Sequence, residues 1–368
     1  MVKNLRYNFR IYPTRSQRIL IDKTLGCARL VWNLALAKQL EFIRSEDQSQ
    51  GWPKITSKTF KNEYKFLKEV HAQALEMSMG NLSKAWKRSK TGQLNMPKFK
   101  KKSHEESYET RSTGTGNEVR IEGGKIRIPK VGLIKISLSK SISGKIKRVT
   151  VKRNRANQYF VSICFEGDFS KPLQKNNKTI GVDLGIKDFA VLSDGTKIVN
   201  PKFYESKEKS LAKLNQKLSQ KTHGSKRHEK TRVKLAKTHL KLANQRKDFQ
   251  HKLSKKLIDE NQVIVIEDLK SEQMVEKSSF LAKKIYDASW YSFRLMLEYK
   301  AKIYGRTLIV ADQFFASSQI CSDCGDKNPE VKNLSIREWT CKSCGVVHDR
   351  DVNAAKNLAN YAKKFVPA

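Results

Sequence analysis

No uninterrupted apolar run in these 368 residues approaches the roughly 18 needed to span a bilayer. The opening stretch, MVKNLRYNFRIYPTR, carries charges and lacks the apolar core of a secretory signal. A soluble, cytoplasmic protein with no membrane partner is expected. Acidic residues are scarce: 36 Asp and Glu stand against 74 Lys and Arg, a formal net charge of +38. Solubility does not require so one-sided a balance, and a polyanionic partner, nucleic acid, is the reading that uses it. Cysteine is sparse, with six in the chain and four of those between Cys321 and Cys344. Under reducing conditions such clustering points to a metal rather than to disulfides. Cys27 and Cys164 lie apart in apolar stretches and read as small buried hydrophobes. No repeat recurs at a fixed period. At 38% hydrophobic residues the chain can still bury a sizeable core, in one to three domains.

Residues 5–13 alternate like a strand that Pro13 ends. Thr14 and Gln17, three apart, form a capping signal for a helix with Ile19, Leu20, Leu25, Leu30, Trp32 and Leu34 near helical spacing. Helical character continues, with breaks, to about residue 88. Residues 97–102, PKFKKK, are strongly cationic around one aromatic. From about residue 107 to 169 short strands alternate with turns, and Gly123-Gly124 between two alternating runs reads as a hairpin. Lys and Arg alternate there with apolar residues, giving one core face and one basic face. A small β-barrel or sandwich fits, rejoined by the first strand, with the helical stretch as an insertion.

Residues 171–178 read as a polar linker. Strands follow at 179–186 and 189–192, then a third. A long charged helical hairpin covers about 206–260, broken near residues 223–225; its one-sided cations suit either solvent or a nucleic-acid backbone. A strand VIVIE, a helix over 290–304, a strand TLIVAD, the cysteine cluster and a helix from residue 351 complete the order.

The two CxxC pairs, Cys321/Cys324 and Cys341/Cys344, are separated by sixteen residues, a spacing suited to a four-thiolate zinc site. Four thiolates fill a tetrahedral shell and leave no open position, so the zinc is structural. Gly325 and Gly345 follow each second cysteine and let backbone amides approach the sulfurs. His348 lies just beyond a full shell, and a structural or phosphate-facing role is expected for it rather than ligation.

Three carboxylates stand out. In TIGVDLG, Ile180, Val182 and Leu184 point to a core, while Gly181, Asp183 and Gly185 share the other face. The glycines read as clearance for a phosphate backbone beside Asp183, and an Asp in mid-strand is costly unless paired or metal-bound. In VIVIED, parity separates Glu267 from Asp268 without saying which face holds a site, and local pattern favours Glu267 only slightly. Asp351 opens a helix rich in Ala, where a plain N-cap is the competing reading and Asp349 the competing acid. Such acids from two strand ends and a helix start can bind two divalent ions, with hard oxygen donors suiting Mg2+ or Mn2+, in a site for phosphodiester hydrolysis.

GVDLG, VIEDL, SSQICSDCG and TCKSCGVVHDRDVNAAKNLA, in this order, resemble the RuvC-type nuclease of the TnpB family of transposon-encoded, RNA-guided DNA endonucleases. RIYPT, LGCARLVWN, MPKFKKK and NQRKDFQHKLS are similar to that family too, so the resemblance spans nearly the whole chain. It implies Asp183, Glu267 and Asp351 as the metal-binding acids, with Mg2+ at the nuclease site and Zn2+ in the ribbon. It implies an α/β, RNase H-like (RuvC) domain over 173–316 and 348–368 with an inserted zinc ribbon over 317–347. It also implies a wedge-type β-barrel from 1–12 and 96–172, with a helical recognition domain inserted at 13–95. The partners implied are a guide RNA from the transposon end and target DNA beside a short flanking motif, read as in other guided nucleases. Lys98, Lys100, Lys101, Lys102, Arg10, Arg15 and Arg29 are then candidates for nucleic-acid contact. A catalytically silent RNA-guided repressor and a transposase are the competing readings; intact acids weigh against the first, and the ribbon's place before the third acid against the second.

Overall fold

The computed structural model describes residues 2–45, 52–53, 55–111, 119–141, 143–333 and 335–365. They fall into two compact units, Lys3–Asp168 and the chain from Phe169 onward together with Val2.

In the first unit β1 (Asn4–Tyr12) turns Phe9 and Ile11 inward, and Pro13 ends it. Thr14 then closes a full capping box with Gln17: each accepts the other's backbone N–H, starting α1 (Arg15–Arg44). Buried Ile21, Leu25, Ala28, Trp32 and Ala35 recur at helical spacing along α1. Val31, Trp32, Ala35 and Leu36 of this helix share a core with Phe60 of α2 (Ser57–Glu63) and Leu75, Leu82 and Trp86 of α3 (Ala72–Lys90). The strands are β2 (Glu106–Arg111), β3 (Arg120–Glu122), β4 (Lys125–Ile128), β5 (Gly132–Ser137), β6 (Lys145–Arg153) and β7 (Tyr159–Glu166). They form with β1 one seven-stranded sheet in the order β2-β6-β7-β1-β5-β4-β3, antiparallel throughout. The first strand therefore does return, between β7 and β5. Gly123 and Gly124 join β3 to β4 with φ of +52° and +70°, the two-residue turn whose left-handed backbone Gly supplies.

The second unit is a three-layer α/β arrangement. β8 (Thr179–Leu184), β9 (Asp188–Leu192), β10 (Lys197–Val199), β11 (Val263–Glu267) and β12 (Thr307–Ala311) give a five-stranded sheet ordered β10-β9-β8-β11-β12. The β8–β11 and β11–β12 pairs are parallel, and the other two antiparallel. Two helices, α4 (Glu208–Ser219) and α5 (Lys226–Glu260), connect β10 to β11. Then come α6 (Ser271–Lys277), α7 (Ala282–Ala288) and α8 (Trp290–Tyr304); the two short ones are not legible in the sequence.

Strand parity assigns the faces. Ile180, Val182, Leu184, Ile264 and Ile266 pack with Leu253, Leu257, Phe293 and Leu297 of α5 and α8. Val263 and Val265 face the other way, with Leu358 of α9 (Arg350–Tyr361). The unit starts before the linker expected over 171–178: Lys171 and Leu173 donate backbone hydrogen bonds to the end of α8, at Ile303 (2.7 Å) and Tyr304 (3.0 Å).

Candidate active site and metal centre

Asp183 lies on the face of β8 that carries Gly181, the face covered by α9. Register places Val265 beside Gly181 and Ile266 beside Val182, so Glu267 follows next to Asp183, one strand spacing of about 4.8 Å away. Because Val265 faces α9, Glu267 does too. Asp268 has the opposite parity, and its carboxylate pairs with Arg294 of α8 on the far layer. The structure thus separates the two adjacent acids that local pattern leaves nearly equivalent.

At the start of α9 the division of labour is equally plain. Asp349, not Asp351, is the N-cap: its Oδ1 accepts the N–H groups of Asp351 and Val352, both at 3.0 Å, and its Oδ2 accepts from Lys197 at 2.6 Å. Burial pushes Asp349 upward, yet Lys197 and the helix N–H groups hold it below the ordinary carboxyl range. Asp351 sits two residues further on in the first turn, free of capping duty, with its Oδ2 at 3.5 Å from Arg337.

The electrostatics tie these acids together. Burial raises Asp183 well above the ordinary range, and the charges of Glu267 and Asp351 raise it further, against an opposing contribution from Arg350. Glu267 is raised by burial as well, opposed by a hydrogen bond from Ser317 and by Arg350. Desolvated like charges of this kind call for a cation. Arg350, 8% exposed and with a buried Nε that has no hydrogen-bond partner among the described residues, is a resident cation acting on both Asp183 and Glu267. The carboxylates are not clustered tightly. Among the described residues, only groups in the cysteine cluster bring three or more potential ligand atoms within 4.8 Å of one another. Ser317 donates to Glu267, and Arg337 pairs with Asp351.

The flanking glycines do different work from that expected. A Cβ on Gly181 would lie 1.9 Å from the Ala355 carbonyl oxygen and 2.6 Å from the Ala359 nitrogen. A Cβ on Gly185 would lie 2.9 Å from the Asp188 carbonyl oxygen. The space at Gly181 is taken by α9 and that at Gly185 by the chain's own turn, so neither is clearance for a phosphate backbone. Gly181 lets the helix bearing Asp351 press against the strand bearing Asp183.

The four cysteine sulfurs gather from two matching knuckles. Cys321 N–H donates to Asp326 C=O (2.7 Å) and Gly325 N–H to Cys321 C=O (2.9 Å); Cys341 N–H donates to Val346 C=O and Gly345 N–H to Cys341 C=O, both at 2.9 Å. Gly325 and Gly345 have φ of +82° and +73°, so the knuckles need glycine for backbone conformation. Sγ–Sγ distances are 3.7 Å for Cys321–Cys344 and 3.6 Å for Cys324–Cys341. A tetrahedral Zn2+ with Zn–S near 2.3 Å requires about 3.8 Å, so the donor set fits that ion. His348 is only 4% exposed, its Nε2 is 3.0 Å from Cys321 Sγ, and its ring packs on Trp339 at 4.8 Å. The ring is buried and does not face a phosphate; with Cys321 and Asp323 it forms a second group whose potential ligand atoms lie within 4.8 Å of one another.

Sequence reasoning missed what joins this cluster to the acids. Asn353 and Asn357, one turn apart on α9 and nearly fully buried, donate to the carbonyls of Ile320 (2.7 and 2.6 Å), and Asn357 also to Ser317 C=O (2.8 Å). Asn353 Oδ1 accepts the Ser322 N–H at 2.9 Å. The i, i+4 Asn pair was the available signal.

Of the candidate nucleic-acid contacts, Lys98, Lys100, Lys101, Lys102 and Arg15 are exposed. Lys100 turns its ammonium onto the Trp32 ring (3.7 Å), and Trp32 Nε1 donates to Lys98 C=O (3.1 Å), laying residues 98–100 along α1. Arg10 stacks on Tyr12 and Phe160, at 5.5 and 5.0 Å. Arg29 pairs with Glu106, so its charge is already answered within the protein.

Three family profiles match. OrfB_IS605, described as a probable transposase, covers residues 162–278; the Cas12f1-like TNB domain covers 290–358; and a helix-turn-helix domain of OrfB_IS605 covers 1–47, here a strand and one long helix. A Streptomyces pristinaespiralis protein named as a candidate RNA-guided DNA endonuclease is 36% identical over 366 residues, spanning 96% of this chain and 88% of that protein. The similarly named InsQ of Escherichia coli K12 is 29% identical over 370 residues, spanning 96% and 90%. The fold is shared with the protein in a cryo-EM structure of the Cas12f1-sgRNA-target DNA complex, at a TM-score of 0.60, 15% identity, and 94% and 82% of the two chains. With this order of motifs, this sheet and these relatives, the chain belongs to the TnpB (OrfB_IS605) family.

Proposed function

We propose that the chain is an RNA-guided DNA endonuclease that hydrolyses phosphodiester bonds at Asp183, Glu267 and Asp351. One observation carries this reading: Asp183 is a desolvated carboxylate, adjacent in register to Glu267 and electrostatically joined to Asp351, from three separate elements. Mg2+ or Mn2+ held by these oxygen donors would supply a water nucleophile at neutral pH and stabilise the leaving oxygen. The protein's part is to present three carboxylates from rigid supports: β8, β11 and the first turn of α9. Arg350 offsets part of their repulsion, while Ser317 and Arg337 fix the side chains of Glu267 and Asp351. No side chain need act as general base.

The five-stranded sheet with its catalytic acids is read as the RNase H-like domain. The cysteine cluster is its structural zinc ribbon, and the seven-stranded sheet the wedge barrel with α1–α3 as recognition insertion. Base pairing with a guide RNA from the transposon end selects the target, and the protein reads duplex backbone and a short flanking motif. Exposed Lys98, Lys101, Lys102 and Arg15 are placed in that backbone reading, with Arg10 and Lys100 as stacked contributors and Arg29 the weakest of the set. The setting is the prokaryotic cytoplasm.

The test is cleavage. Protein purified with RNA co-expressed from its locus is given matched duplex DNA and Mg2+. Cutting that needs the RNA and disappears in Asp183→Ala supports the proposal. Binding without cutting would make the chain a guided repressor, and joined strand products a transposase.

A further inference from the structure

The helical hairpin of α4 and α5 carries a surface that the hydrolytic site does not use. On α5 the buried residues are Leu242 near its middle and Gln250, Leu253, Ser254, Leu257 and Ile258 toward its C-terminal end. The first sixteen residues of the helix bury none. Along that half, Lys226, Lys230, Lys234, Lys237 and Lys241 are exposed and recur at i, i+4, i+8, i+11 and i+15, a single stripe about 22 Å long. None of the five has an acidic partner among the described residues; Glu229, the one acid in this stretch, pairs with Arg232 (2.6 Å). A second exposed stripe, Lys209, Lys213 and Lys217, runs along α4. Lysines one helical turn apart repel and weaken the helix that bears them, so the array suits a chain that keeps a polyanion bound.

The kind of polyanion follows from what accompanies the charge. Between Tyr204 and Phe249 there is no Phe, Tyr or Trp. Single strands are gripped chiefly by stacking of their bases on large aromatic side chains; this stretch offers only imidazoles, and two of these, His223 and His228, already pack on each other at 4.9 Å. Base-paired RNA exposes phosphates and 2′-hydroxyls and buries its bases, and is recognised by backbone and shape. Point charges four residues apart on a helix rise about 6 Å from one to the next, a row that suits the phosphates along one strand. A guide is carried before any target arrives, which makes RNA rather than DNA the resident partner. We infer that the α4–α5 arm is the grip for a base-paired segment of the guide RNA, with the lysine stripe of α5 as its phosphate-contacting face. This rests on the guided-nuclease reading above.

The experiment compares the full chain with a variant in which Lys226, Lys230, Lys234, Lys237 and Lys241 are all Gln, and with a Lys→Arg variant at the same positions. Gln and Arg keep helix propensity, and circular dichroism confirms equal helix content. The probes are a 16-base-pair RNA hairpin, a DNA hairpin of matching sequence and an unpaired 20-nucleotide RNA. Expected is a loss of about 100-fold or more in RNA-hairpin affinity for the Gln variant, with the slope of log K against log[salt] reduced by about 4. The Arg variant should bind as the native chain does. RNA binding should also slow amide exchange over residues 226–241 in the native chain. Unchanged hairpin affinity and slope in the Gln variant, or a loss confined to the DNA hairpin or the unpaired RNA, would overturn the inference. In those cases native cleavage of guided targets would leave the nuclease reading standing; a native chain that neither retains RNA nor cuts would remove that reading instead.

Discussion

Asp183 shows how a residue's surroundings, more than its type, assign its task. An acid between Val182 and Leu184 announces itself in the sequence, and so does the tie between Glu267 and Asp268. What breaks the tie is which face of β11 meets α9, a long-range fact that strand parity alone does not contain. Two substitutions test the residue scale. The pKa of Asp183 is raised in the folded protein, so its contribution is favourable below the ordinary carboxyl pKa of 3.8 and is lost as pH rises through the folded value. Asp183→Asn removes that cost. Without added divalent ions the variant should melt higher than the native chain at pH 7–8, by on the order of 2–4 °C, with the difference shrinking toward pH 4. A lower melting temperature at pH 7–8 would contradict the burial argument. Gly181→Ala places a methyl group against the Ala355 carbonyl and should cost about 1–3 kcal/mol or more in denaturant unfolding, because backbone rather than a movable side chain must yield.

At the scale of elements, local chemistry was readable wherever a short motif fixes the backbone. The Thr14–Gln17 capping box, the Gly123-Gly124 turn and the CxxC knuckles all form as their residues dictate. The short helices α6 and α7 were not readable, since seven residues give too little periodicity to set against a loop. The capping role also moved, from Asp351 to Asp349, because two acids two residues apart satisfy the same rule. The most consequential omission was the Asn353–Asn357 clamp, which fastens the cysteine cluster to the helix bearing Asp351. Asn357→Ala leaves the buried Ser317 carbonyl without this donor, while Ile320 C=O keeps Asn353, and should destabilise by about 1–3 kcal/mol. Metal analysis should return one Zn2+ per chain. After zinc is stripped, Mg2+ alone should fail to restore cleavage, whereas Zn2+ with Mg2+ should restore it. Full activity in the zinc-free protein would show that the ribbon does not position Asp351.

At the scale of the whole molecule the charge of +38 was the plainest signal and the least specific. It names a polyanion without saying which surface meets it. The structure narrows that question by removing Arg29, already paired with Glu106, and by setting apart a basic arm with no Phe, Tyr or Trp between Tyr204 and Phe249. Guide-RNA affinity should fall by about 1,000-fold or more between 50 and 200 mM salt, as counterion release requires; a flat titration would contradict phosphate contact as the main source of binding. The central claim remains that Asp183, Glu267 and Asp351 share divalent ions. The most direct measurement is a structure of the RNA-loaded protein with Mn2+, located by anomalous scattering. Two Mn2+ peaks bounded by these three carboxylates are expected, and ions bound elsewhere, with the three side chains beyond shared coordination, would contradict it.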